Sequence, residues 1–322
     1  MHAASVLARM NFDFDSVTAP FRIQPGLRKL PAGARQLTAL SPTSPVFAEK
    51  LAVLKNQAAG ALLCEAGFDA RPALRAVAAQ AAAEDPAAFG WEGDSFTAWH
   101  LGWRADIETG AVERAGDRAL AELDACLEPL PAASRAAALL SLALHEDLAI
   151  VDGASVRIPW LAVCLPSRWA PLEKLGRHFA EIHAPVADNA LLLAAGEHLM
   201  HLVCQPQRWE RFVWTITPHA KHDAHPQRHP RGPWPRDADA QALAASAWLR
   251  SERQSFIPLP ERQQAVFLIH VEIQRLSDAV TTHEQAARLY AALASMSDAV
   301  LEYRGLVDAR DRLLHWLGGL AS

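Results

Sequence analysis

The chain has 322 residues, with 31 Lys and Arg against 36 Asp and Glu, a formal charge of −5, and 51% hydrophobic against 21% charged residues. That composition excludes a disordered chain, and its acidic balance argues against a partner held mainly by phosphate neutralisation, so no nucleic acid is expected. No apolar run approaches the ~18 residues of a membrane span, and Met1–Phe12 lacks a signal-peptide core, so a cytoplasmic protein with no membrane partner is expected.

Residues 20–48 are rich in Pro, Gly, Ser and Thr and read as an extended covering segment. Helices follow: one from Phe47 to about Gly60, and one that Asp69 can cap, that accepts Pro72 in its first turn and that ends before Pro86. Gly90–Arg104 mixes aromatics with near-alternation and predicts a strand or strand pair, after which helical patterns return over Val112–Leu127 and Ala132–Leu144.

HEDLAIVDGASVRIPWLAVCLP then sets Asp152-Gly153 between two apolar runs, a hairpin signal. A break at Pro166-Ser167-Arg168-Trp169 leads into an amphipathic helical stretch, Leu172–Ile182, that delivers His183 just before Pro185. Strands are expected at Phe212–Thr217, Ala247–Leu259 and Ala265–Ile273, in one antiparallel sheet, with Thr282 and Gln285 as the capping box of a closing helix whose apolar face runs from Leu289 to Tyr303. No linker with a composition shift interrupts the chain, so residues 1–322 are read as a single α+β domain: an antiparallel sheet with extensive flanking helices.

Several groups could carry chemistry. His183 reads, from spacing alone, either as a capping or core histidine or as a ligand, and Lys174 as a solvated helix charge. On the strand Trp248–Phe256, period-two geometry puts Arg250, Glu252 and Gln254 on one face and Ser251 and Arg253 on the other. Trp248 and Phe256 bracket the first set and imply partial burial, where charges need partners or ligands. His219, His222, His225 and His229 crowd a Pro-rich loop that matches no zinc signature. Cys64, Cys126, Cys164 and Cys204 are widely spaced without a CxxC pair and predict buried reduced thiols, with no iron-sulfur centre on this chain. No GxSxG, HExxH, Walker or GxGxxG motif is present, so a redox reaction here needs electrons from another chain.

The Trp160–Val186 series, with PSRW, EKLG and IHAPV, together with LRSERQ, PFRIQPGLRKL, HEDL and ERFVW, resembles the heme-binding (alpha) subunit family of heme-dependent oxidative N-demethylases. The family series ends in PVP, where this chain has Ala187 after Pro185 and Val186. The resemblance implies a Per-Arnt-Sim-like sheet and a monooxygenase-type oxidoreductase. Such an enzyme binds heme b and uses dioxygen to demethylate a small secondary or tertiary amine of the dimethylamine type, releasing formaldehyde. FMN, 2Fe-2S and NADPH serve only through a partner reductase subunit.

By the same resemblance His183 is the axial iron ligand, with His145, His178 and His201 next in order. Lys174, Arg250 and Arg253 hold propionates, and Glu252 is the catalytic carboxylate, orienting an arginine or meeting the cationic amine. The rival reading is a heme- or ligand-binding sensor module without turnover, and a third is a metal hydrolase built on the histidine-rich loop.

Overall fold

The computed structural model describes residues 12–116 and 119–321, so the N-terminal stretch through Asn11, where no signal-peptide core is expected, lies outside the described residues. Eleven strands are formed among the described residues: β1 (Arg28–Lys29), β2 (Leu62–Cys64), β3 (Phe89–Glu92), β4 (Ser95–Ala98), β5 (Trp103–Asp106), β6 (Val112–Arg114), β7 (Asp147–Asp152), β8 (Arg157–Ala162), β9 (Trp209–Thr217), β10 (Trp248–Leu259) and β11 (Gln264–Arg275). They make a seven-stranded sheet in the order β1-β9-β10-β11-β7-β8-β2 and a four-stranded sheet β3-β4-β5-β6, with every ladder antiparallel. The fold is therefore mixed α and β with antiparallel sheets, as composition and pattern predict.

β10 and β11 pair over their full length, from Trp248↔Arg275 to Leu259↔Gln264. β9 covers β10 only as far as Ser255. Pro258 therefore sits where β10 has become an edge and its missing N–H costs no ladder bond. Because directly paired residues share a face, the register assigns Arg211, Arg250, Glu252, Gln254, Ile269, Phe267, Ala149 and Leu161 to one side of the sheet. Leu148, Ile150, Trp160, Ala162, Val266 and Leu268 fall on the other side, in one buried cluster with apolar residues of helices Pro45–Ala61, Arg71–Glu84 and Ala132–Ala143. Trp214, Ile216 and Leu249 join a second cluster with helices His283–Ala294, Asp298–Arg304 and Arg310–Ala321.

Local sequence explains most element ends. Ser44 accepts the Phe47 N–H at 3.1 Å ahead of Pro45, and Thr282 and Gln285 form the expected reciprocal capping box. Asp69 acts one residue from its expected place, accepting the Arg71 N–H at 3.1 Å, while Ala70 occupies the cap. The Asp152-Gly153 turn widens into a loop, with Asp152 accepting the Ser155 N–H and Val156 at φ 57°.

Four expectations need correction. Val112–Leu127 is not a helix: Val112–Arg114 pairs with β5, and Ala121–Leu123 and Asp124–Leu127 form only short turns of helix. Gly110, at φ +71°, returns the chain for that pairing, and a Cβ there would lie 2.0 Å from the Ala132 carbonyl oxygen, so tertiary packing overrides helix propensity. Leu172–Ile182 is not continuous either, because Gly176, at φ +66°, separates the turn Pro171–Glu173 from the helix Phe179–His183. The closing apolar face is shared by two helices: Ser297 caps Asp298–Arg304, and Tyr303 is left exposed. Lastly, all four cysteines are free, but Cys64 is exposed while the other three are buried. Among the described residues no helix is long and apolar enough to cross a membrane.

Candidate functional site

On the face of the sheet that carries Arg250 and Glu252 lies a cavity of about 620 Å³, within the ~300–1,000 Å³ of ligand and cofactor sites. Ala149, Ile158, Leu161, Phe267 and Ile269 supply an apolar floor, and Phe21 and Ile23 of the N-terminal segment cover it. The expected covering role of residues 20–48 is thus played by their first part.

His183 lines this cavity from the end of helix Phe179–His183. The helix is anchored at its start, where His178 Nδ1 accepts the Ala180 N–H at 3.2 Å and Glu181 accepts the His178 N–H at 2.9 Å. Beyond its end, Asn189 donates to the His183 carbonyl at 2.9 Å. The imidazole is oriented as well: Nδ1 lies 2.8 Å from the Phe179 carbonyl, which can only accept, so the proton of the neutral ring sits on Nδ1 and Nε2 keeps its lone pair. Burial lowers the His183 pKa to about 4, which holds the ring neutral. Lys174 also lines the cavity, but its ammonium donates to the Ile182 carbonyl at 2.9 Å, bracing the turn that ends in His183.

Glu252 is reached from two sides. Ser167 donates to its Oε1, and Gln254 donates to Oε2 at 2.6 Å. Arg250 in turn donates from Nε to Ser167 Oγ at 2.8 Å and from Nη1 to the Lys221 carbonyl at 3.1 Å. The chain Arg250, Ser167, Glu252, Gln254 fixes one carboxylate in the wall, so the polar strand face expected from the alternation is a built network. Arg253 lies elsewhere: paired with His270 across β10 and β11, it faces the opposite side of the sheet and bonds Glu210 at 2.8 Å. The sheet separates it from the cavity, so Arg253, expected to act with Arg250, does not share that residue's side of the sheet.

The structure adds cations that strand alternation does not reveal. Arg168, Arg211, Arg231 and Arg304 also line the cavity, and desolvation lowers the pKa of each, that of Arg304 to about 10. Among the described residues, the Nε atoms of Arg211 and Arg304, Thr215 Oγ1 and His219 Nδ1 are buried without a hydrogen-bond partner. Buried polar groups are rarely left unpaired, so this wall carries hydrogen-bonding capacity that no described residue uses. Arg211 belongs to the ERFVW segment, whereas Arg168, Arg231 and Arg304 sit on loops or a helix end far apart in sequence and carry no periodic signal.

The loop histidines do not converge on one point. His222 contacts Glu49 at 3.2 Å, His225 Nδ1 accepts the Gln227 N–H at 3.2 Å, His229 faces Asp223 at 3.5 Å, and His219 accepts from Arg168. Of the remaining candidate ligands, His178 is the helix cap, His201 bonds the Glu197 carbonyl on an exposed helix face, and His145 lies behind the sheet.

An oriented neutral imidazole, an apolar floor, a wall rich in guanidinium groups and the unpaired Nε–H of Arg211 and Arg304 fit a flat, dianionic, iron-bearing macrocycle. A protein-family model described as haem-dependent oxidative N-demethylase, alpha subunit-like, matches residues 116–314, a span that contains β7 to β11, His183, Glu252 and every arginine of the cavity wall except Arg22 and Arg28. By that match over more than half its length, the chain belongs to the family of haem-dependent oxidative N-demethylase alpha subunit-like proteins.

Proposed function

We propose that the chain binds heme b in this cavity, where His183 would hold the iron, and catalyses the oxidative N-demethylation of a small secondary or tertiary amine. In that reaction an N-methyl amine, dioxygen, two electrons and two protons give the demethylated amine, formaldehyde and water. When bound, heme b supplies the activation of dioxygen. The chain supplies the rest: His183 Nε2 would offer the lone pair for ligation, Arg211 and Arg304 would hold the propionates, and Glu252 would receive the cationic amine. A carboxylate held by Ser167 and Gln254 presents its charge without having to reorganise when the substrate enters. Electrons come from a separate reductase subunit carrying FMN and 2Fe-2S and using NADPH. The strand order β9-β10-β11-β7-β8, with its β7–β8 hairpin, supports reading the sheet as Per-Arnt-Sim-like.

One observation carries the reading: the oriented His183, the anchored Glu252, and Arg211 and Arg304 with their unpaired Nε–H groups line the same cavity. The test is spectroscopic first. Protein reconstituted with heme b should show a Soret band that His183→Ala abolishes or shifts, and an unchanged band in that variant would overturn the ligand assignment. Dimethylamine, dioxygen, NADPH and a flavin/iron-sulfur reductase should then release formaldehyde. A Soret band without formaldehyde, across several amines and competent reductases, would leave a binding module without turnover.

A further inference from the structure

Behind the sheet, on the face turned away from the cavity, a second set of ligand-type side chains converges. β11 brings His270 and Glu272 to that face two residues apart, and His145 enters from the segment leading into β7. One ligand-type atom from each of the three lies within 4.8 Å of the other two. We propose that His145, His270 and Glu272 form a binding site for a divalent first-row transition-metal ion of the zinc type, distinct from the cavity site.

The hydrogen bonds around the cluster support this assignment. His145 Nε2 lies 2.9 Å from the Val271 carbonyl, which can only accept, so Nε2 carries the proton and Nδ1 keeps the lone pair. His270 Nδ1 lies 2.7 Å from Glu146 Oε1, and Glu146 Oε2 accepts the Thr38 N–H at 3.0 Å, so the carboxylate is held as an acceptor and directs the other ring nitrogen toward Glu272. A carbonyl behind one imidazole and a carboxylate behind the other are the outer contacts that metal-ligating histidines make. His270 Nε2 and Glu272 Oε1 lie 3.2 Å apart across a single hydrogen bond, whose proton the ion replaces. The two rings are stacked at 3.8 Å, so capture of the ion splays them about their anchored nitrogens.

Charge and access agree. Lys50 is taken by Asp147 at 3.1 Å and by two carbonyls, so the His270 ring, bonded through both nitrogens to Glu146 and Glu272, is the cation that faces these two carboxylates. A divalent ion that displaces the Nε2 proton of His270 leaves both carboxylates balanced. His270 is buried, while the Glu272 side chain keeps 27% of its exposure and provides the entry path. Two imidazoles and one carboxylate are a donor set for zinc or a similar borderline ion, not for calcium or magnesium.

The test is calorimetric titration of ZnCl2 into the chelator-treated full-length protein, followed by zinc-edge X-ray absorption. The expected result is one zinc per chain with nitrogen and oxygen ligands, weakened at least 10-fold by Glu272→Gln and by His145→Ala. Glu272→Gln is nearly isosteric and partly exposed, and equal melting curves in chelator will verify that both variants fold. Zinc stoichiometry should survive His183→Ala and His225→Ala/His229→Ala, which separates this site from the cavity and from the part of the histidine-rich loop beyond His222, whose ring lies 6.5 Å from that of His145. No binding by the wild type at millimolar zinc, or equal affinity in both cluster variants, would overturn the site and leave His270 as a structural bridge between two glutamates.

Discussion

At the scale of single residues, the cavity depends on groups that hold other groups. Lys174 is braced on the Ile182 carbonyl beside His183, so, on the proposed reading, Lys174→Met should weaken heme affinity by about 10-fold because the turn that carries His183 loosens, with a smaller spectral change than His183→Ala. A heme titration followed at the Soret band measures both; equal affinities for Lys174→Met and wild type would show the brace to be idle. Glu252→Gln keeps the size of the side chain and removes the charge. The expected outcome is normal heme binding with kcat/KM for the amine lowered on the order of 100-fold, because a desolvated ammonium loses its counter-charge. His219 gives a pH prediction. Burial, then Arg168 and Arg250, lower its pKa to about 4 from the usual 6.5, so between those values the unfolded chain binds the extra proton. Stability therefore rises with pH across that window and falls as pH drops through it. His219→Gln should flatten the slope of denaturation free energy against pH from about 4 to 6.5, and an unchanged slope would remove His219 from the account.

At the scale of elements, the placement of His183 rests on two helices in close contact. Gly196, inside helix Ala190–Val203, lies so near Phe179 that an added Cβ would sit 2.4 Å from its ring. Phe179 holds His183 twice, through its carbonyl at 2.8 Å and through ring contact with centroids 4.1 Å apart. Gly→Ala inside a helix ordinarily gains about 1 kcal/mol. Here Gly196→Ala should instead shift the Phe179–His183 helix, lower the melting temperature and alter the Soret band, although residue 196 is not part of the cavity wall. A stabilised variant with a native spectrum would mean that Phe179 gives way without moving His183.

At the scale of the whole molecule, the large sheet separates two clusters of polar side chains. Its front carries the cavity wall, its back carries the His145, His270 and Glu272 cluster, and β11 supplies Ile269 to one and His270 to the other. No dinucleotide-binding glycine motif or cysteine cluster accompanies either. We predict that heme-loaded protein given dimethylamine, dioxygen and NADPH releases formaldehyde over multiple turnovers only after a flavin/iron-sulfur reductase is added. Sustained release by the chain alone would refute that division of labour.

Much of this was legible in the sequence because it depends on neighbours along the chain. The strand periodicity of β9, β10 and β11, the Thr282–Gln285 box, the alternation that sorts Arg250, Glu252 and Gln254 from Arg253, and the position of His183 at a helix end before Pro185 are all local. Other features follow from contacts between distant segments, which no window of sequence contains. Val112–Arg114 became a strand because β5 was there to pair with it, and Leu172–Ile182 broke at Gly176, packed against Glu65. Arg168, Arg231 and Arg304 reached one cavity from separate loops and a helix end, and His145 met His270 from a distant part of the chain through a shared sheet face. Local sequence determined which side chains each element offers and to which face; only the order of strands and the packing of helices on them decided which of those offers meet, because burial and charge pairing act through space rather than along the chain.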